Sequence, residues 1–68
     1  MKIENTIIDI YNNAIKQCFY LNIDASKENI KKICENNIFF LKLQIENFNG
    51  DIKLIYFYDK VLSKILLL

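Results

Sequence analysis

The stretch from Ile38 to Tyr58 reads IFFLKLQIENFNGDIKLIYFY, and the fold turns on its period. Phe39, Leu41, Leu43 and Ile45 alternate with Phe40, Lys42, Gln44 and Glu46, the two-residue repeat of a strand. Asn49-Gly50 follows, the pair that best accepts the positive φ angles of a type I′ turn. Ile52, Leu54, Tyr56 and Tyr58 then alternate with Lys53, Ile55 and Phe57. The pattern predicts a β-hairpin with strands over residues 38–48 and 51–58. With Asn49 and Gly50 as the turn, Phe48 faces Asp51 and Glu46 faces Lys53, while Ile45 faces Leu54 and Leu43 faces Tyr56. Charges pair across the ladder and the strongest apolar pairs fall on one face, as a hairpin with one buried face requires.

Helical signals flank this stretch. Ile3, Ile7, Ile10, Tyr11, Ala14, Cys18 and Leu21 keep the three-and-four spacing of an amphipathic helix, predicting one over residues 2–21. Ser26 fits an N-cap, with Glu28 in the first turn of a second helix over 27–37. Ile30, Ile33 and Cys34 form its inner face, and Asn36-Asn37 is its expected stop. Asp59 is the expected cap of a last helix over 60–67, with Val61, Leu62, Ile65, Leu66 and Leu68 on one side. The expected fold is a single α+β domain, residues 1–68, in the order helix, helix, β-hairpin, helix.

A chain of this length buries only about 60% of its unfolded surface, and here 53% of the residues are hydrophobic. That proportion supports a core and leaves apolar groups difficult to hide within one small domain. Ile, Asn and Lys are abundant while Arg, His, Trp and Pro are absent, the composition of an AT-rich genome, so Lys and Asn clusters carry less meaning than usual. Net charge is +1, far from the basic footprint of a nucleic-acid binder. No run approaches the roughly 18 apolar residues of a membrane span, and the expected setting is cytoplasmic.

Catalysis needs a convergent set of nucleophile, base and orienting group. Without His, the base would have to be a carboxylate or Lys. Asp9, Asp24, Glu28, Glu35, Glu46, Asp51 and Asp59 all fall on expected polar faces, turns or caps. One Gly cannot make a glycine-rich phosphate cradle. Two cysteines without His fall short of a four-ligand zinc set. Cys18 and Cys34 read instead as buried, reduced thiols acting as small hydrophobes; a disulfide joining the two helices is the alternative. The chain is expected to hold no cofactor and no metal, and not to be an enzyme.

On the hairpin register, Phe40, Phe48, Ile55 and Phe57 turn away from the buried face. Clustered exposed aromatics mark a contact surface, so these four are the candidate partner-binding residues, with another protein or a second copy as occupant. The expected function is that of a small non-catalytic protein-binding protein. An inhibitor or modulator of a larger host protein fits best, of the kind carried by phages and mobile elements, such as an anti-CRISPR-like or other anti-defence inhibitor. The alternatives are a nucleic-acid-binding regulator using Lys27, Lys31 and Lys32, or a homodimeric structural building block. Glu28 and Glu35 interleave with those lysines and Arg is missing, which disfavours the nucleic-acid reading.

Overall fold

A computed structural model describes residues 2–48 and 50–68. Three helices follow one another: α1 from Ile3 to Leu21, α2 from Lys27 to Phe48 and α3 from Ile52 to Leu66. Among the described residues there is no strand. The α+β class and the β-hairpin over 38–48 and 51–58 are therefore overturned: the first segment continues α2 and the second opens α3.

The physical reason lies in a longer stripe. Ile30, Cys34, Ile38, Leu41, Ile45 and Phe48 repeat at three and four residues without a break, the helical period. No Gly or Pro interrupts 27–48, so nothing in the backbone stops the helix. Ile38, Leu41 and Ile45 are buried or half-buried on this stripe, whereas Phe39 and Leu43, which alternation would turn inward with Leu41 and Ile45, are exposed. The expected stop at Asn36-Asn37 does not operate. Asn in a helix interior competes for backbone hydrogen bonds, but here the Asn37 Nδ2 donates to Gln17 Oε1 at 2.7 Å.

The ends are set by local chemistry. Lys2 precedes α1 without a side-chain cap. Asn22 closes that helix with φ 59°; its N–H donates to Phe19 O and the Ile23 N–H to Cys18 O, the paired bonds of a Schellman motif. Ser26 caps α2 as expected, its Oγ accepting from the Asn29 N–H at 3.2 Å. At the far end Gly50 donates to Ile45 O at 2.7 Å with φ +62°, a conformation that favours Gly. Its positive φ agrees with the expectation but terminates a helix instead of turning a hairpin. Asn49, the other expected turn residue, lies outside the described residues. Asp51, not Asp59, caps α3, accepting from the Leu54 N–H.

Ala14 and Cys18 of α1, Ile30, Cys34 and Ile38 of α2, and Val61 and Ile65 of α3 make the buried core. Ile7, Ile10, Tyr11, Ile33, Phe57 and Leu62 pack around it. The cross-helix bonds show that α3 runs antiparallel to α2: the Lys31 amine reaches the Leu66 carbonyl at 2.9 Å, and Lys42 meets Asp59; Gln17 of α1 meets Asn37 of α2. The result is a slab, 35 × 22 × 15 Å across its Cα positions. It exposes 5062 Å², above the roughly 4,500 Å² expected of a folded chain of this mass. Large apolar side chains such as Phe39, Phe40, Phe48 and Tyr56 remain exposed on it.

Candidate functional site

The four candidate contact residues do not share a face. Phe40 lies on α2 and is 63% exposed, and Phe48 ends that helix at 85%. Ile55 and Phe57, on α3, are half-buried. Phe57 packs against the core and sets its ring edge-on to Tyr58 at 5.5 Å. A helix advances by 100° per residue, so neighbours separated by alternation in a strand are redistributed around the axis.

Other apolar side chains come forward. The Lys42–Asp59 ion pair, at 2.5 Å, marks where α2 and α3 face each other at the surface. On α2, Phe39 precedes Lys42 by one turn. On α3, Ile52 and Leu66 lie two turns to either side of Asp59, and Tyr56 lies one turn before it. Residues three, four or seven apart share a helix side, so these groups share the sides of α2 and α3 that carry the ion pair. Phe39 is 57% exposed, Ile52 60% and Tyr56 67%. Leu43 stands beside Phe39 on the outer side of α2, also exposed. The Phe39 and Phe40 rings meet edge to face at 6.2 Å. Hairpin alternation assigned Phe39, Leu43, Ile52 and Tyr56 to the buried face; the helical stripe through Ile38, Leu41 and Ile45 was the signal that would have placed Phe39 and Leu43 outside.

The three candidate lysines are dispersed as well. Lys27 and Lys32 are exposed at different angles on α2, and Lys31 is half-buried with its amine on the Leu66 carbonyl. That bond satisfies a C-terminal carbonyl of α3 and places a cation at the negative end of its dipole.

The titratable groups are mostly on the outside. Glu4, Asp9, Asp24, Glu28, Glu35, Glu46 and Asp51 are exposed, and Asp59 is held by Lys42. Among the described residues no three His, Cys, Asp or Glu side chains gather as a metal set, and no pocket is found. Cys18 and Cys34 are free and buried in the core. Burial pushes the Cys34 thiol up from its ordinary range, with the nearby Cys18 adding to the shift. A raised thiol pKa disfavours the thiolate, which is the reactive form. No described helix is long and apolar enough to cross a membrane. No protein-family model, curated protein or solved structure matches this chain.

Proposed function

We propose that this chain is a small non-catalytic protein that works by docking onto another protein through the outer surface of α2 and α3. The observation that carries this reading is the set of exposed apolar side chains, Phe39, Ile52, Tyr56 and Leu66, on the sides of α2 and α3 that carry the Lys42–Asp59 pair. Clustered exposed aromatic and aliphatic side chains are enriched in protein interfaces. Leaving them in water forgoes roughly 1.5 to 3 kcal/mol for each large side chain that could have been fully buried. Phe40 borders this surface on α2 and the half-buried Ile55 lies one turn before Asp59 on α3, whereas Phe48, on the stripe through Ile38 and Ile45, and the core-packed Phe57 lie outside it.

The host-protein inhibitor of phage or mobile-element type remains the preferred form of this reading. It is supported by small size and AT-rich composition, and the mechanism is steric: a rigid helical slab covers a partner's working surface. The nucleic-acid alternative is weaker, because Lys31 is engaged by Leu66 and Lys27 and Lys32 point elsewhere.

The test is affinity capture from native host lysate with the wild-type chain and a Tyr56→Glu variant side by side. The expected result is a protein retained by the wild type at low and high salt and lost from the variant, whose circular dichroism stays helical. Capture equal for both chains, or material released by nuclease or by moderate salt, would overturn the reading.

A further inference from the structure

We propose that a second copy of this chain occupies the outer face of α2, in an antiparallel pair of α2 helices. The inference goes beyond docking to a host protein and does not rest on it, since it concerns the pure chain alone.

The outer face of α2 carries a seam. Lys32, Asn36, Phe39, Leu43 and Glu46 follow one another in alternating steps of four and three, and all five are exposed. This is the spacing by which two helices pack along a common line. The opposite side of the same helix, through Ile30, Cys34 and Ile38, is committed to the core. α2 therefore leaves Phe39 and Leu43 uncovered at the centre of this side, with Lys32, Asn36 and Glu46 at its ends.

Charge decides the orientation. A parallel, in-register pair would set Lys32 against Lys32 and Glu46 against Glu46, like charges in direct opposition. An antiparallel pair with its two-fold between Phe39 and Leu43 sets Phe39 of each copy against Leu43 of the other. The same operation puts the Asn36 amide, a donor, opposite the Glu46 carboxylate, an acceptor, at both ends of the apolar centre. Phe40 flanks the seam on one side and meets its own symmetry mate. Lys42 flanks the other, and each ammonium is already held by Asp59 of its own chain. With a formal charge of +1 per chain, long-range repulsion between copies is slight.

The seam is about three turns long, shorter than the interfaces of about 1,200 Å² or more that mark stable complexes. The pair is accordingly a weak one that dilution separates. A host protein seated on Phe39 would have to displace the second copy.

Sedimentation equilibrium on the purified chain, from about 5 to about 500 μM, tests it over the range where so small an interface associates. The expected weight-average mass is near 8.1 kDa when dilute and rises toward twice that. Leu43→Glu should hold the monomer mass throughout while keeping its helical circular dichroism and thermal midpoint. Asn36→Glu, which brings a carboxylate against Glu46 of the other copy, should weaken association about tenfold. Adding Glu46→Asn to it should restore the wild-type curve. A monomer mass across the whole range, association that survives Leu43→Glu, or a double variant that stays weak would each overturn the antiparallel pair.

Discussion

The two halves of α2 differ in composition, and their burial runs opposite to it. From Lys27 to Ile38 the helix buries Ile30, Cys34 and Ile38 completely or nearly so. From Phe39 to Phe48 no side chain is fully buried and only Leu41, Lys42 and Ile45 are half-buried, although Phe39, Phe40, Leu41, Leu43, Ile45 and Phe48 make it the more apolar half. The first half has both neighbours alongside, with Gln17 of α1 and Leu66 of α3 bonded to it. The second offers large side chains on more sides than two neighbours can cover. Hydrophobic content alone thus says little about where stability lies; the number of covered sides decides it. One half holds the fold together and the other leaves Phe39, Phe40, Leu43 and Phe48 exposed.

Substitutions can break this contrast or sharpen it. The largest effect is expected at Ile38, fully buried between the helices: Ile38→Ala should cost about 2–5 kcal/mol, read from denaturant unfolding. A loss under 1 kcal/mol would mean that the core is not centred there. Gly50 comes next. Its φ of +62° strains any residue with a Cβ, although nothing lies within 4 Å of where that atom would sit. Gly50→Ala should therefore cost about 1 kcal/mol by backbone strain alone. A clearly larger loss would point to a crowded turn.

The Lys42–Asp59 pair, partly exposed on both sides, should give a coupling of about 0–1 kcal/mol in a double-mutant cycle, weakening as salt is added. Smallest of all is Phe39→Ser. In dilute solution it should shift stability by no more than about 0.5 kcal/mol, despite removing an aromatic ring. An effect at Phe39 approaching that at Ile38 would erase the difference between the two halves.

Much of the helical framework was legible in the residues. The stripe from Ile3 to Leu21 is long, bounded and free of competing periods, and α1 spans those residues. Ser26 announces α2 through a side-chain acceptor that has one obvious use, and it caps that helix. The hairpin failed because Phe39 to Ile45 satisfies two periods at once. Ile, Phe and Tyr favour strands locally, and Asn-Gly serves a helix end as readily as a tight turn. What separated the readings was continuity: the stripe begun at Ile30 runs on to Phe48 with no breaker. The candidate surface inherited the error. Phe40 and Phe48 emerge exposed, Ile55 and Phe57 turn half inward, and Phe39, Leu43, Ile52 and Tyr56 exchange inside for outside. Which apolar groups remain uncovered depends on how three helices meet, and that is a tertiary fact.

The buried cysteines have a practical corollary. Cys18 and Cys34 are the molecule's two cysteines, and both are sealed in its centre at no measurable exposure. A thiol reagent can reach them only when the helices part, so the labelling rate of the unaltered protein serves as a clock for opening events. That clock is blind to fraying of residues 39–48, where no cysteine sits. A ligand that slows it has tightened the bundle as a whole, whereas one that binds the outer surface without changing the opening equilibrium leaves it running at the same pace.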